Sequence, residues 1–194
     1  MSLLCEGLAL PEVKIINVSQ HRDARGFFSE TYNKHAFSNA GINVEFLQDN
    51  HTMSRQRGTI RGLHFQIAPF AQDKLVRVAR GAIFDVAVDV RAGSPTYGKH
   101  VFAIISAEAW NQIYIPIGFA HGFATLEPDT EVIYKVSAMY SPEHDRGLIW
   151  NDPQVAIDWP ISEVEAILSD KDKRQPTLSQ LPTYFSYAPR GKER

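Results

Sequence analysis

The run AIFDVAVDV, residues 82 to 90, alternates Phe84, Val86, Val88 and Val90 with Asp85, Ala87 and Asp89. A period of two is that of a strand, whose successive side chains point to opposite faces. Around it lie further short runs, KHVFAIISA, NQIYIP, HGFATL and TEVIYKVSAMYS, divided by Gly, Pro and Asp. Strands this short, at turn-like spacing, close into a sandwich, jelly roll or barrel. The pattern predicts an all-β fold.

Few helices interrupt it. NKHAFSNAG (33–41) predicts a short helix with Asn33 as cap and Gly41 as stop, and SEVEAILSD (162–170) another, on a capping-box pattern of Ser162 with Glu165. HRDARG (21–26) reads as a turn between two extended runs. The 194 residues, 44% of them hydrophobic, suit a single domain over 1–194, with an N-terminal arm to about residue 32 and a loose tail from about 182. A net charge of −2 implies no pull toward nucleic acid or a membrane surface. The single cysteine, Cys5, forms no internal disulfide and fits a reducing cytosol. MSLLCEGLALPEVK lacks the basic start of a secretion signal, and no run approaches the roughly 20 apolar residues of a membrane span. The expectation is a cytoplasmic protein with neither nucleic-acid nor membrane partners.

Two chemical motifs fail on inspection. GSPTYGKH (93–100) nearly matches a P-loop, but His100 replaces the magnesium-binding hydroxyl and VFAII continues as strand rather than helix. A turn is the better reading, since Gly93, Pro95 and Gly98 are turn residues. Metal-binding β-barrels usually offer two histidines two residues apart on one strand face. No H-x-H occurs here, so no metal is expected.

GTIRGLHFQ (58–66) is harder to explain as structure alone. Alternation would put Gly62, His64 and Gln66 on one face and Leu63 and Phe65 on the other, leaving Arg61 aimed away from His64. Lys74 opens QDKLVRV, His121 lies in GFAHGF and Tyr134 in EVIYKVS. Histidine, lysine, arginine and tyrosine inside a β-barrel destabilise it unless they meet a ligand or one another.

The stretches RDARGFFSE, QDNH, RGLHFQ, QDKLVRV, GAIFDVAVDVR, SPTYGKH, IPIGFAHGF, YSPEHDRGLIWND and LSDKD resemble, in this order and with similar gaps, the dTDP-4-dehydrorhamnose 3,5-epimerase family. The resemblance runs from about Val13 to Asp172. It implies a cupin-like jelly-roll β-sandwich or barrel with short flanking helices, without metal or other cofactor. It implies a dTDP-sugar substrate, dTDP-4-dehydro-6-deoxy-D-glucose, whose C4 ketone acidifies the hydrogens at C3 and C5. Epimerisation through an enolate needs a base on one face, an acid on the other and positive charge at the C4 oxygen.

The resemblance assigns His64 as base, Asp172 as the carboxylate that orients it, Tyr134 as acid and Lys74 as the cation beside the enolate. Arg61 corresponds to a diphosphate contact, for which a guanidinium fork is suited. A bend or bulge at Gly62 is then required to bring Arg61 and His64 to one cavity. Arg25, Glu30, Gln48, Asp49, Asn50, Asp145 and Lys171 correspond to nucleotide contacts and His121 to a sugar-side contact. Tyr140 or Phe28 would stack on thymine. The resemblance further implies a homodimer whose N-terminal arms are exchanged, so that Arg25 and Glu30 serve the neighbour's site. Epimerisation at C3 alone or C5 alone would use the same base and acid. Two other readings are a non-catalytic sugar-nucleotide binder, which would need no base facing an acid, and a metal-dependent oxygenase.

Overall fold

A computed structural model describes residues 3–188. The elements in chain order begin with β1 (Leu3–Gly7), β2 (Lys14–Val18), β3 (His21–Asp23), β4 (Gly26–Phe28) and α1 (Lys34–Asn39). The central strands are β5 (Gln48–Ser54), β6 (Ile60–Gln66), β7 (Lys74–Arg80), β8 (Ala82–Asp89) and β9 (Arg91–Ala92). Then come β10 (His100–Ser106), β11 (Asn111–Ile115), β12 (Phe119–Thr125), β13 (Thr130–Val136), β14 (Asp145–Gly147) and β15 (Phe185–Ser186).

Two antiparallel sheets face each other. One has six strands in the order β1-β2-β11-β7-β13-β5, the other five in the order β10-β8-β12-β6-β14. The fold is all-β, as the strand pattern predicts, and is the jelly roll that the resemblance implies. Between the sheets, Val76, Val78, Ile113 and Ile115 pack against Ile83, Ala87, Phe119 and Phe123. The outer face of the five-stranded sheet carries Leu63, Phe65, Phe84, Val86 and Val88, which Trp150, Val155, Ile161 and Leu178 cover. Phe37 of α1 and Ile42 similarly cover Leu75 and Tyr114 on the six-stranded sheet. Each such aliphatic or aromatic side chain contributes about 1.5–3 kcal/mol when fully buried. Because β8 is buried on both faces, its alternating Asp85 and Asp89 are both sealed from solvent.

Asn33 caps α1 through a hydrogen bond from Ala36 N to its Oδ1 (3.1 Å), as the sequence predicts. Three expectations need correction. Residues 162–170 form a single turn and no helix. Ser162 and Glu165 do bond each other, but Ile167 then leaves the turn to exchange backbone hydrogen bonds with Gly58 and Ile60. Tertiary pairing to the start of β6 overrides the capping signal. HRDARG is mostly strand, since β3 pairs with β4 and only Ala24 and Arg25 turn. The tail is docked as far as it is described: β15 pairs in parallel with β9, and Tyr184 and Phe185 pack on Phe65. Residues 189–194 of that expectation lie outside the described residues.

Candidate active site

The local break in β6 creates the site. Across β12 and β6, His121 stands opposite His64, but Phe123 stands opposite Arg61. Two steps on one strand thus match three on the other, which is a β-bulge with one extra residue in β6. The extra residue removes the odd spacing between Arg61 and His64, so both side chains reach the inter-sheet cavity. Gly62 allows it. Its φ is +123° and the peptide joining it to Leu63 is cis. A Cβ at Gly62 would sit 2.6 Å from Gly122 Cα and 2.7 Å from His121 O. Only glycine accepts that contact and that φ together.

The cavity holds about 500 Å³ and is lined by His64, Lys74, His121 and Tyr134 as well as Arg61. Asp172 closes one wall. Its Oδ1 lies 2.5 Å from His64 Nε2, and its backbone is held by a bond from Asp172 N to Ser169 Oγ (3.1 Å). Burial raises the Asp172 carboxyl, but hydrogen bonds from His64, Ser169 and the Gly62 backbone outweigh it and hold the group below its usual range. The deep wall is a second pair, with His121 Nε2 at 2.9 Å from Asp85 Oδ2. Burial pushes His121 down, against the attraction of Asp85.

Lys74 donates from Nζ to His64 O (3.1 Å) and is almost wholly buried. Burial drives its pKa down to about 8, with Asp145 and Asp85 opposing the fall. At neutral pH it is therefore mainly a cation. In register, Lys74 faces Val136 across β7 and β13, two residues from Tyr134 on the same inner face. Burial pushes the Tyr134 phenol above its ordinary value, so it keeps its proton at neutral pH.

At the rim Arg61 donates from Nε to Ser54 Oγ (3.2 Å) and from Nη2 to Met53 O (3.2 Å). Lys171 pairs with Asp145, which also meets Tyr140 Oη at 3.3 Å. A second lobe of about 310 Å³ shares His64, Lys74, Tyr134, Tyr140 and Asp145 and adds Gln48 and Asn50.

The structure thus gathers His64, Asp172, Tyr134, Lys74, Arg61, His121, Gln48, Asn50, Asp145 and Lys171 around one two-lobed cavity. It leaves out three of the expected site residues. Asp49 points to the opposite side of β5, where its Oδ1 meets Lys135 Nζ at 2.9 Å. Strand alternation separates it from Gln48 and Asn50, so the expected contact through Asp49 is corrected. Arg25 and Glu30 lie away from the cavity, bonded to Asp23 and Asn33 respectively. Sequence reasoning missed three contributors, Asp85, Ser169 and Thr52. For Asp85 the signal was present: an aspartate flanked on both sides by the Ile, Phe, Val and Ala of a buried strand.

Among the described residues no group of three or more His, Cys, Asp or Glu converges in a way that would hold a metal ion. His64 and His121 instead each pair with a single carboxylate. The site thus joins two histidine–carboxylate pairs, a phenol, a lysine and an arginine in one cavity of a double-sheet jelly roll. Such a set suits acid–base chemistry on that class of fold. A family model described as dTDP-4-dehydrorhamnose 3,5-epimerase matches residues 7–180. The chain belongs to that family of isomerases.

The dTDP-4-dehydrorhamnose 3,5-epimerase of Sinorhizobium fredii is 53% identical over 182 residues, 94% of this chain and 93% of the relative. The dTDP-6-deoxy-D-glucose-3,5-epimerase of Legionella pneumophila, crystallised with dTDP-4-keto-L-rhamnose, superposes with a TM-score of 0.92 at 40% identity. That match covers 96% of this chain and 100% of the other. A 3'-monoepimerase of Streptomyces bikiniensis, in complex with dTDP-quinovose, is similar at TM-score 0.83 and 32% identity, covering 90% and 87% of the two chains.

Proposed function

We propose that the chain inverts C3 and C5 of dTDP-4-dehydro-6-deoxy-D-glucose to give dTDP-4-dehydro-L-rhamnose. The observation that carries this reading is a carboxylate-backed His64 sharing one cavity with Tyr134 and the buried cation Lys74. Neutral His64 takes the proton next to the C4 ketone, and the electron pair moves onto the C4 oxygen as an enolate. Asp172 stabilises the imidazolium that results. Lys74 sets positive charge against the enolate oxygen in a site sheltered from water, where such charge acts most strongly. Tyr134 then delivers a proton to the carbon from the opposite face. The phenolate recovers a proton from water, and His64 releases its own, so each inverted centre ends with no net change in protons. No electron is transferred and no cofactor is required.

The nucleotide diphosphate lies toward Arg61 and Lys171, and the nucleoside toward Gln48, Asn50, Asp145 and Tyr140. His121, held by Asp85, supports the sugar side. Turnover in deuterated water, followed by NMR, is expected to place deuterium at both C3 and C5 of the product. Deuterium at C3 alone would favour the one-centre reading that the Streptomyces bikiniensis similarity raises. Deuterium at neither would overturn the assignment.

We also propose a cytoplasmic homodimer with exchanged N-terminal arms. Arg25 and Phe28 support it, since both lie on an exposed hairpin remote from their own cavity. No helix among the described residues is long and apolar enough to cross a membrane. Full activity after exhaustive chelation is the expected result for a site without metal.

A further inference from the structure

The inner face of β5 presents Gln48, Asn50, Thr52 and Ser54 in succession. Gln48 donates to Asn50 Oδ1 (2.7 Å), and Ser54 accepts from Arg61 Nε (3.2 Å). Thr52 differs. It lines the cavity, yet its Oγ1 is closed to solvent and has no hydrogen-bond partner, the one such buried side-chain nitrogen or oxygen among the described residues. A hydroxyl in that condition destabilises the empty protein, and its retention calls for an explanation.

Register supplies one. Asn50 faces Tyr134 across β5 and β13, and Thr52 faces Val132 one inner-face step further along. The next inner-face residue is Ser54, which holds Arg61. Thr52 therefore stands between the phenol assigned as acid and the guanidinium assigned to the diphosphate. A sugar nucleotide whose sugar meets Tyr134 and whose diphosphate meets Arg61 brings its sugar-bearing phosphate to that position. Phosphate oxygens only accept hydrogen bonds, and a hydroxyl donates one without adding charge. Rotation about Cα–Cβ between staggered wells carries Oγ1 from its closed position to the cavity.

We infer that Thr52 Oγ1 donates a hydrogen bond to the sugar-bearing phosphate, beside Arg61; this rests on the epimerase reading above. Thr52→Val keeps the shape and removes the hydroxyl, and Thr52→Ser keeps the hydroxyl. The experiment measures dTDP affinity by calorimetry, steady-state kinetics on the dTDP-sugar, and melting of the ligand-free protein. Thr52→Val is expected to weaken dTDP binding and raise KM about tenfold, with the loss carried by KM rather than kcat. Its ligand-free Tm stays level or rises, because the hydroxyl has no partner to lose. Thr52→Ser restores the affinity. Unchanged dTDP affinity in Thr52→Val overturns the inference, as does a lowered ligand-free Tm or a failure of Thr52→Ser to restore binding. A loss in kcat alone also overturns it, and assigns the hydroxyl to Tyr134 instead. If the unaltered protein does not bind dTDP, the epimerase reading itself fails.

Discussion

Two histidine–aspartate pairs face each other across β6 and β12, and they are not equivalent. His64 and Asp172 meet at 2.5 Å, His121 and Asp85 at 2.9 Å, and in register His64 stands opposite His121. The His64 side chain is 29% exposed to the cavity, whereas that of His121 is 8% exposed and that of Asp85 not at all. Burial, aided by the nearby Lys74 and His64, keeps the His121 ring from gaining charge. His64 has room to receive a proton and a carboxylate placed to hold it. On the function proposed above, access to a reacting atom, more than the distance within the pair, separates the base from its support.

The largest expected effects break this contrast directly. His64→Ala is expected to lower kcat by about 10²–10⁴-fold, the range for a lost general base. Asp172→Asn follows, at about 10²-fold, with the loss falling mainly on the rate because the His64 half of the pair opens to the cavity. Asp85→Asn reverses the order. Disrupting the buried hydrogen bond between His121 and Asp85 destabilises by about 1–3 kcal/mol, and the fall in rate is about tenfold or less. Calorimetry beside steady-state kinetics on the two variants checks the distinction. Equal losses of kcat in Asp85→Asn and Asp172→Asn would erase it.

The same pairs show what can be read from a sequence. Strand alternation in AIFDVAVDV was legible, but the different tasks of its two aspartates were not. Asp85 supports His121 in the cavity, whereas Asp89 holds Arg91, Ser94 and Thr96 and so shapes the following turn. Which face of a doubly buried strand adjoins a cavity depends on the opposing sheet, and no local pattern encodes it. The bulge at Gly62 was legible only because the resemblance required Arg61 and His64 to converge. Strict alternation alone would have separated them. In SEVEAILSD a correct local signal gave the wrong element. The chain must run beside β6 to bring Asp172 to His64, and long-range backbone pairing between Ile167 and Gly58 outweighs one helical turn.

Lys74 gives the next effect in size. It sits beside both pairs, donating to the His64 carbonyl, and its pKa of about 8 lies below the ordinary lysine value of 10.5. The folded state thus disfavours the ammonium. Below pH 8 both states carry the proton and the folded protein bears the whole penalty, about 3 kcal/mol. Between about 8 and 10.5 the unfolded chain binds more protons, so this penalty is relieved as pH rises. Lys74→Met is therefore expected to raise stability at pH 7 by about 3 kcal/mol while lowering turnover, with the gain shrinking above pH 8. Urea melts at pH 7 and pH 10 measure it. In the unaltered enzyme the rate falls with an apparent pKa near 8 as the cation is lost. A pH-independent gain would mean that the penalty lies in packing and not in charge.

The smallest effect belongs to a third pair. His51 Nε2 and Glu131 Oε2 lie 3.0 Å apart, nearly the spacing of His121 and Asp85, but on the outer face of β5 and β13. His51 is one residue from both Asn50 and Thr52, so strand alternation turns it away from the cavity that Thr52 lines. With the His51 side chain 54% exposed, solvent screens the pair, and exposed pairs contribute about 0–1 kcal/mol. His51→Ala is expected to leave kcat and KM unchanged and to shift stability by less than about 0.5 kcal/mol. Denaturation at several protein concentrations sharpens the test. A destabilisation that grows on dilution would show that this outer face meets a second copy of the chain. A concentration-independent null would leave His51 as the baseline against which the two inner pairs are measured.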